Sequence, residues 1–258
     1  MADRLSEVAA IARAAGALGL RRAQGDFKRW EKAPGNPVSE VDLELDAFLR
    51  ARLTALDPGA GWLSEETADD PARLACERLW VVDPIDGTRD FVRGRPGWAV
   101  SIALVEGGRP VLGVLDAPAL GLSWRAAVGG GAWRGAERIA ASTRTSFAGA
   151  RLPADSLPRV DSDLSLVPKP NSIALRIAMV AADEADLVAT LRWGYEWDIA
   201  AAALIAAEAG AAVSDAFGAP LAFNTPSAQA FGVLVSSPGI HAAAIDRLAD
   251  RARALVGP

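Results

Sequence analysis

The chain has 258 residues, 51% of them hydrophobic and 23% charged, a globular composition that fits one large domain or two smaller ones sharing a core. Its formal net charge of -5 gives no general pull toward nucleic acid or anionic membrane, so a phosphate-bearing partner needs a local positive centre such as bound metal. One cysteine, Cys76, and one histidine, His241, exclude an internal disulfide and argue against a thiolate zinc site; with His241 read as a solvated residue in the first turn of a terminal helix, catalysis is left to carboxylates, hydroxyls, backbone and metal.

Residues 5 to 24 place apolar side chains at helical spacing and read as an amphipathic helix. Asp3, Arg4 and Glu7 deny this end the unbroken apolar core of a signal peptide. No other run is long and charge-free enough to span a bilayer, and the expectation is a protein of the reducing cytoplasm. KAPGNPVS, Lys32 to Ser39, reads as a loop. Ser39 then caps a second helix, SEVDLELDAFLRARLTAL, with Asp42 one turn inside and Leu43, Leu45, Phe48, Leu49 and Leu53 as its buried face.

GWLSEE and RLWVVDPIDGT are short apolar runs that end abruptly in acid, as buried strands do at a turn. WAVSIALVEGGRPVLGVLDAP reads as two strands around a Gly-Gly turn, and LSWRAAVGGGAWRGAERIAAS as strand, glycine-rich turn and strand. Beyond Ser142 the pattern alternates helix and strand. NSIALRIAMVAADEADLVATL is a helix and a strand, EWDIAAAALIAAEAGAAVSD an alanine-rich helix stopped at Gly210 and another strand, FGVLVSS a late strand, and HAAAIDRLADRARALV the last helix. The expected division is 1–142, a helix pair plus antiparallel sheet, and 143–258, an α/β unit.

Acidic residues at apolar strand ends carry the chemistry. In WVVDPIDGTRDF, Asp83 and Asp86 flank Pro84, which fixes its own dihedral and has no N–H to compete. The turn presents both carboxylates and the Ile85 carbonyl together, an oxygen-only donor set suited to magnesium. Gly87 and Thr88 follow, with backbone N–H groups placed to meet an anion at a helix start. Taken singly, Asp-Pro-Ile-Asp-Gly is an ordinary turn, Glu65-Glu66 a solvated pair, and Asp198 a helix-dipole partner. Three acidic positions of this kind together favour a site.

These motifs resemble the inositol monophosphatase superfamily of metal-dependent, lithium-sensitive phosphatases. WVVDPIDGTRDF is similar to its first signature and EWDIAAAALIAAEAG to its second; NPVSEVD, LSEE and VSIALVEGGRPVLGVLDAP extend the likeness over most of the chain. The resemblance implies the layered α-β-α-β-α sandwich of the inositol monophosphatase and fructose-1,6-bisphosphatase type. It implies two or three magnesium ions, with manganese as a substitute, on Glu65, Asp83, the Ile85 carbonyl, Asp86 and Asp198, with the 143–258 unit supplying Asp198. It assigns Asp42, Glu65 and Thr88 to catalysis by metal-activated water, and Gly87, Thr88, Ser172, Glu196 and Asp198 to substrate. Glu66 stands beside Glu65, and Lys32 matches a loop lysine near the metals. Ser39 departs from the family's usual threonine but keeps a hydroxyl.

The implied substrate is a small phosphorylated metabolite, either inositol monophosphate or a 3'(2'),5'-bisphosphate nucleotide, with fructose 1,6-bisphosphate and histidinol phosphate behind them. Glu196 before Trp197-Asp198 and the KPNSIALRIAMVAADEADL segment lean to the nucleotidase branch, whereas FVRGRPGWAVSIAL looks as much like the others. A silent binding protein would lack one of the ligands, and a two-carboxylate glycosidase would leave Gly87-Thr88 without a role. The family also implies a homodimer, for which eight tryptophans offer aromatic surface.

Overall fold

A computed structural model describes residues 2–256 of the chain. The elements run in the order α1 (Ala2–Arg22), β1 (Arg29–Ala33), β2 (Asn36–Ser39), α2 (Glu40–Leu56), β3 (Gly61–Ser64), β4 (Arg78–Asp86), α3 (Thr88–Phe91), β5 (Ala99–Glu106), β6 (Arg109–Ala117), β7 (Leu122–Ala127), β8 (Ala132–Arg134) and β9 (Glu137–Ile139). There follow β10 (Arg151–Pro153), β11 (Ser165–Val167), α4 (Ile173–Ala181), β12 (Leu187–Ala189), β13 (Trp193–Tyr195), α5 (Glu196–Glu208), β14 (Ala212–Ser214), β15 (Gln229–Phe231), β16 (Leu234–Ser236) and α6 (His241–Val256).

Strands β3 to β9 form one seven-stranded sheet in chain order. Its central strands are apolar without alternation because both faces are covered. Trp80, Val82, Val100, Ile102 and Leu112 meet α1 and α2 on one face. Leu79, Val81, Ala99, Ala103 and Leu115 meet α4 and α5 on the other. Beyond α4 and α5 lies a three-stranded sheet, β12-β16-β14, and α6 closes the stack over Leu187 and Leu234. The layers are therefore α-β-α-β-α, as the resemblance implies.

Two sequence features bring the helices close. On α2, Leu45, Leu49 and Leu53 are fully buried, each burial contributing roughly 1.5–3 kcal/mol. Leu43 was expected with them but is 42% exposed; it lies two residues from Val41, about 200° around the helix from the buried row. On α5 the alanines leave a thin surface, and the sheet matches it at Gly113. A Cβ there would stand 2.7 Å from the Ala201 carbonyl oxygen.

The expected loop from Lys32 to Ser39 is instead part of a hairpin. β1 pairs antiparallel with β2, Trp30 opposite Val38. All of β1 is exposed, so it lacks the apolar alternation that marks a strand. Ser39 caps α2 in a capping box closed by Asp42.

Candidate metal centre

The acidic strand ends meet because β3 and β4 are parallel. Their register sets Ser64 opposite Val82, so the next residues, Glu65 and Asp83, fall side by side. The ladder continues one step, Glu65 N donating to the Val82 carbonyl at 3.3 Å. On the far side of β4, Ser101 of β5 lies opposite Asp83, and its hydroxyl donates to the Trp197 carbonyl at 3.3 Å. That bond ties the first turn of α5 to the strand end. Glu65, Asp83 and Asp198 thereby bring carboxylate oxygens within 4.8 Å of one another.

Three acids this close are in conflict. Burial, then Glu65, Asp86 and Asp198, push Asp83 well above the usual carboxylate range. Burial, then Asp86 and Glu65, do the same to Asp198, against the opposing Arg192. Glu65 is raised by burial first; Lys32 opposes and Asp42 adds to the shift. Lys32 Nζ donates to Glu66 Oε1 at 2.7 Å and reaches Glu65 Oε1 at 3.4 Å. Burial nonetheless leads in lifting Glu66 to about 7. Burial would lower Lys32 itself, but the two glutamates outweigh it and its pKa is raised. Like charges this close, offering oxygen only and with Asp83 buried among them, are the donor set a hard divalent cation takes. The residues therefore fit magnesium.

Asp86 stands differently. Its Oδ2 accepts from the Ser172 hydroxyl at 2.5 Å and from Ala174 N at 2.7 Å, which binds it to the start of α4. Its Oδ1 has only a 3.4 Å contact with Ile173 N. It lies outside the three-acid cluster yet close enough to raise Asp83 and Asp198.

At the end of β4, Gly87 has φ of +97°, and a Cβ there would meet the Gly97 carbonyl at 2.7 Å. Only glycine makes that turn. Thr88 opens the single-turn α3, whose first N–H groups have no partner within the helix. The Thr88 hydroxyl lies 3.1 Å from Asp42 Oδ1 and 3.0 Å from the Ile85 carbonyl. It has one proton and serves one of these acceptors at a time. Asp42 Oδ2 accepts from Ser39 N at 2.8 Å and the Ser39 hydroxyl at 2.6 Å. Burial dominates and raises Asp42 despite those bonds.

Three expectations take other places. The Ser172 side chain is fully buried, holding Asp86 and accepting from Leu175 N as the cap of α4. Glu196 is also fully buried; it accepts from Asn224 N, Thr225 N and the Thr225 hydroxyl. Both carry structural bonds, because a buried polar group in this fold is satisfied by its neighbours. His241 is half-buried, with ring nitrogens 3.0 Å from the Ser214 hydroxyl and 2.8 Å from that of Ser236. The sequence reading missed Ser101, although one hydroxyl inside the apolar AVSIALV run was a signal. It also missed Arg176, the one charge in the helix IALRIAMVA.

Escherichia coli CysQ, a 3'(2'),5'-bisphosphate nucleotidase, is 33% identical over 75% of this chain and 82% of its own. Mycobacterium tuberculosis SuhB, an inositol-1-monophosphatase, is 36% identical over 92% of this chain and 84% of its own. The Thermotoga maritima IMPase structure superposes with a TM-score of 0.85 at 29% identity, covering 99% of this chain and 100% of that one. Fold, acidic cluster and relatives together define a hydrolase of phosphoric monoesters. The model of the Inositol monophosphatase family matches residues 2–255, and the chain belongs to that family. No helix among the described residues is long and apolar enough to cross a membrane.

Proposed function

We propose that the protein is a magnesium-dependent phosphomonoesterase whose ions are held by Glu65, Asp83, Asp198, Asp86 and the Ile85 carbonyl. The observation that carries this is the convergence of Glu65, Asp83 and Asp198 within 4.8 Å. When bound, two or three magnesium ions, or manganese in their place, supply positive charge to the phosphate oxygens and lower the pKa of water. The chain does the rest. Gly87 N–H and Thr88 N–H hold a phosphate oxygen. Thr88 donates its proton to Asp42 and turns its oxygen lone pair to the attacking water. Ser39 keeps Asp42 aimed from the other side. Phosphate release that persists after exhaustive EDTA treatment would overturn the metal assignment. Lithium inhibition is expected in the same assay.

A second reading concerns the substrate. A recess at Asp198 is lined by Thr190, Arg192 and Ile173. Thr190 and Ile173 also line a cavity of about 300 Å³ holding Arg176 and Lys169. The Arg176 pKa is lowered by burial first; Asp86 opposes, and Arg192 adds a smaller push in the lowering direction. Two guanidinium groups near enough to repel favour a leaving group that carries its own anion. This supports a 3'(2'),5'-bisphosphate nucleotide over inositol monophosphate and disfavours cationic histidinol phosphate. Adenosine 3',5'-bisphosphate should exceed inositol 1-phosphate in kcat/KM, and the reverse order would reject the preference.

A homodimer accords with exposed Trp30 and Leu120, each 44% accessible, on the wall of one cavity of about 1190 Å³. Light scattering that gives a monomer mass would exclude it. A cytoplasmic setting accords with the free thiol of Cys76.

A further inference from the structure

We infer that Asp46 is a positioning residue for metal binding, clamping both ends of the Glu65–Glu66 turn through Ser64 and Thr67. Asp46 lies one helical turn after Asp42 on α2 and is 8% exposed. Its Oδ1 accepts from the Ser64 hydroxyl at 2.5 Å and its Oδ2 from the Thr67 hydroxyl at 2.6 Å. Hydrogen bonds to a carboxylate at such lengths are among the stronger ones in proteins.

Each hydroxyl is also tied back into the segment it holds. Thr67 Oγ1 accepts from the Trp62 indole N–H at 3.3 Å. Ser64 Oγ receives Glu66 N at 3.5 Å. The one proton of each hydroxyl goes to Asp46 and a lone pair to residues 62–67, so neither hydroxyl can donate to another partner. The bonds straddle the two glutamates.

The turn needs such a brace. Glu65 brings its carboxylate within 4.8 Å of those of Asp83 and Asp198, and like charges this close push the turn outward before metal arrives. A loose turn would have to be ordered on binding, which weakens affinity. Asp42 and Asp46, four residues apart on one helix face, thus brace the two acidic strand ends separately. Asp42 reaches the β4 end through Thr88, and Asp46 reaches the β3 end.

The inference rests on Glu65 being a metal ligand. The test is calorimetric titration of magnesium into the full chain without substrate, alongside phosphatase rates at limiting and saturating magnesium. Thr67→Val, alone and with Ser64→Ala, should weaken magnesium binding by about 10–100-fold, the range for partners that orient ligands. Rate lost at limiting magnesium should return at saturating magnesium. Thr67→Ser, which keeps the hydroxyl, should restore binding. If Thr67→Val and the double variant bind magnesium as the wild type does, the clamp is wrong, whatever happens to their melting temperatures. If the wild-type chain binds none, the ligand assignment fails and the inference with it. Asp46→Asn is the more direct variant, but Thr67→Val decides the matter even if that protein does not fold.

Discussion

Two acidic centres of this molecule are built on opposite rules. At the strand ends, Glu65, Asp83 and Asp198 face one another, and all three carboxyls are pushed up. Near the second sheet, Asp186 is as hidden as Asp83, each 1% exposed, yet fully served. Its oxygens accept from the Ser142 hydroxyl at 2.7 Å, Arg151 N at 2.9 Å and the Arg151 guanidinium at 2.8 and 2.9 Å. Burial alone would raise it, but those bonds prevail and hold it at about 2. A satisfied acid is a bolt, whereas an unsatisfied cluster holds repulsion that a cation relieves.

The sharpest way to break this contrast is Asp83→Asn. Removing one ligand should lower turnover by more than about 10²-fold, beyond the loss typical of an outer partner. The metal-free protein should not lose stability at neutral pH and should melt slightly higher, because a carboxyl with a raised pKa loses stability as pH climbs through that value. A variant with near-native rate, or one that unfolds without metal, would put Asp83 with Asp186 instead.

Thr88 and Asp42 come next. As mere helix-start residues, Thr88→Ala and Asp42→Asn would each cost about 1 kcal/mol and leave kcat near normal. If they orient one water through their 3.1 Å contact, each lowers kcat by roughly 10²-fold. The double variant is then scarcely worse than the poorer single one. Additive losses in kcat would remove Asp42 from the site.

At the other centre, Asp186→Asn should leave kcat unchanged and cost about 2–4 kcal/mol of stability, as loss of charge-assisted bonds in a buried hub does. The sign is opposite to that at the three-acid cluster. A lowered carboxyl contributes stability above its unfolded value and loses it as pH falls toward about 2. Acid melts of the wild type should therefore be steeper between about pH 4 and 2 than those of the variant.

What the sequence made legible follows the range of the interactions. Capping by Ser39, the strands flanking the Gly107-Gly108 turn and the Gly210 stop are local, and each is encoded within a few residues. Glu65 and Asp83 were legible as acids ending apolar runs, but the parallel register that sets them side by side was not. The unforeseen partners of Ser172, Glu196 and His241 share a cause. Their partners, Asp86, Thr225 and Ser214, lie 86, 29 and 27 residues away. No local pattern records such a bond. The β1–β2 hairpin escaped because an exposed strand carries no hydrophobic alternation.

The smallest effect is expected at Asp116, which belongs to neither centre and tests whether burial without service matters away from the site. Asp116 is 6% exposed on β6, under α1. Its Oδ2 is so near Gly16 that a Cβ there would stand 2.1 Å from it. Among the described residues no hydrogen bond reaches its carboxylate, and the charge of Arg13 only partly opposes the burial that lifts it to about 6. The folded chain therefore keeps this proton up to about pH 6, whereas an unfolded aspartate releases it near 3.9. With the folded pKa above the unfolded one, its stabilising share is complete below about pH 4 and fades as pH rises through 6. Asp116→Asn carries no such titration. Melting curves between pH 4 and 8 should show the wild type losing ground to the variant by about 2–4 °C, the response of a chain this long to ~1 kcal/mol. Turnover at neutral pH should be the same in both. Parallel melting profiles would show that Asp116 is served in solution, and the contrast between acids with and without partners would then be confined to the three-acid cluster.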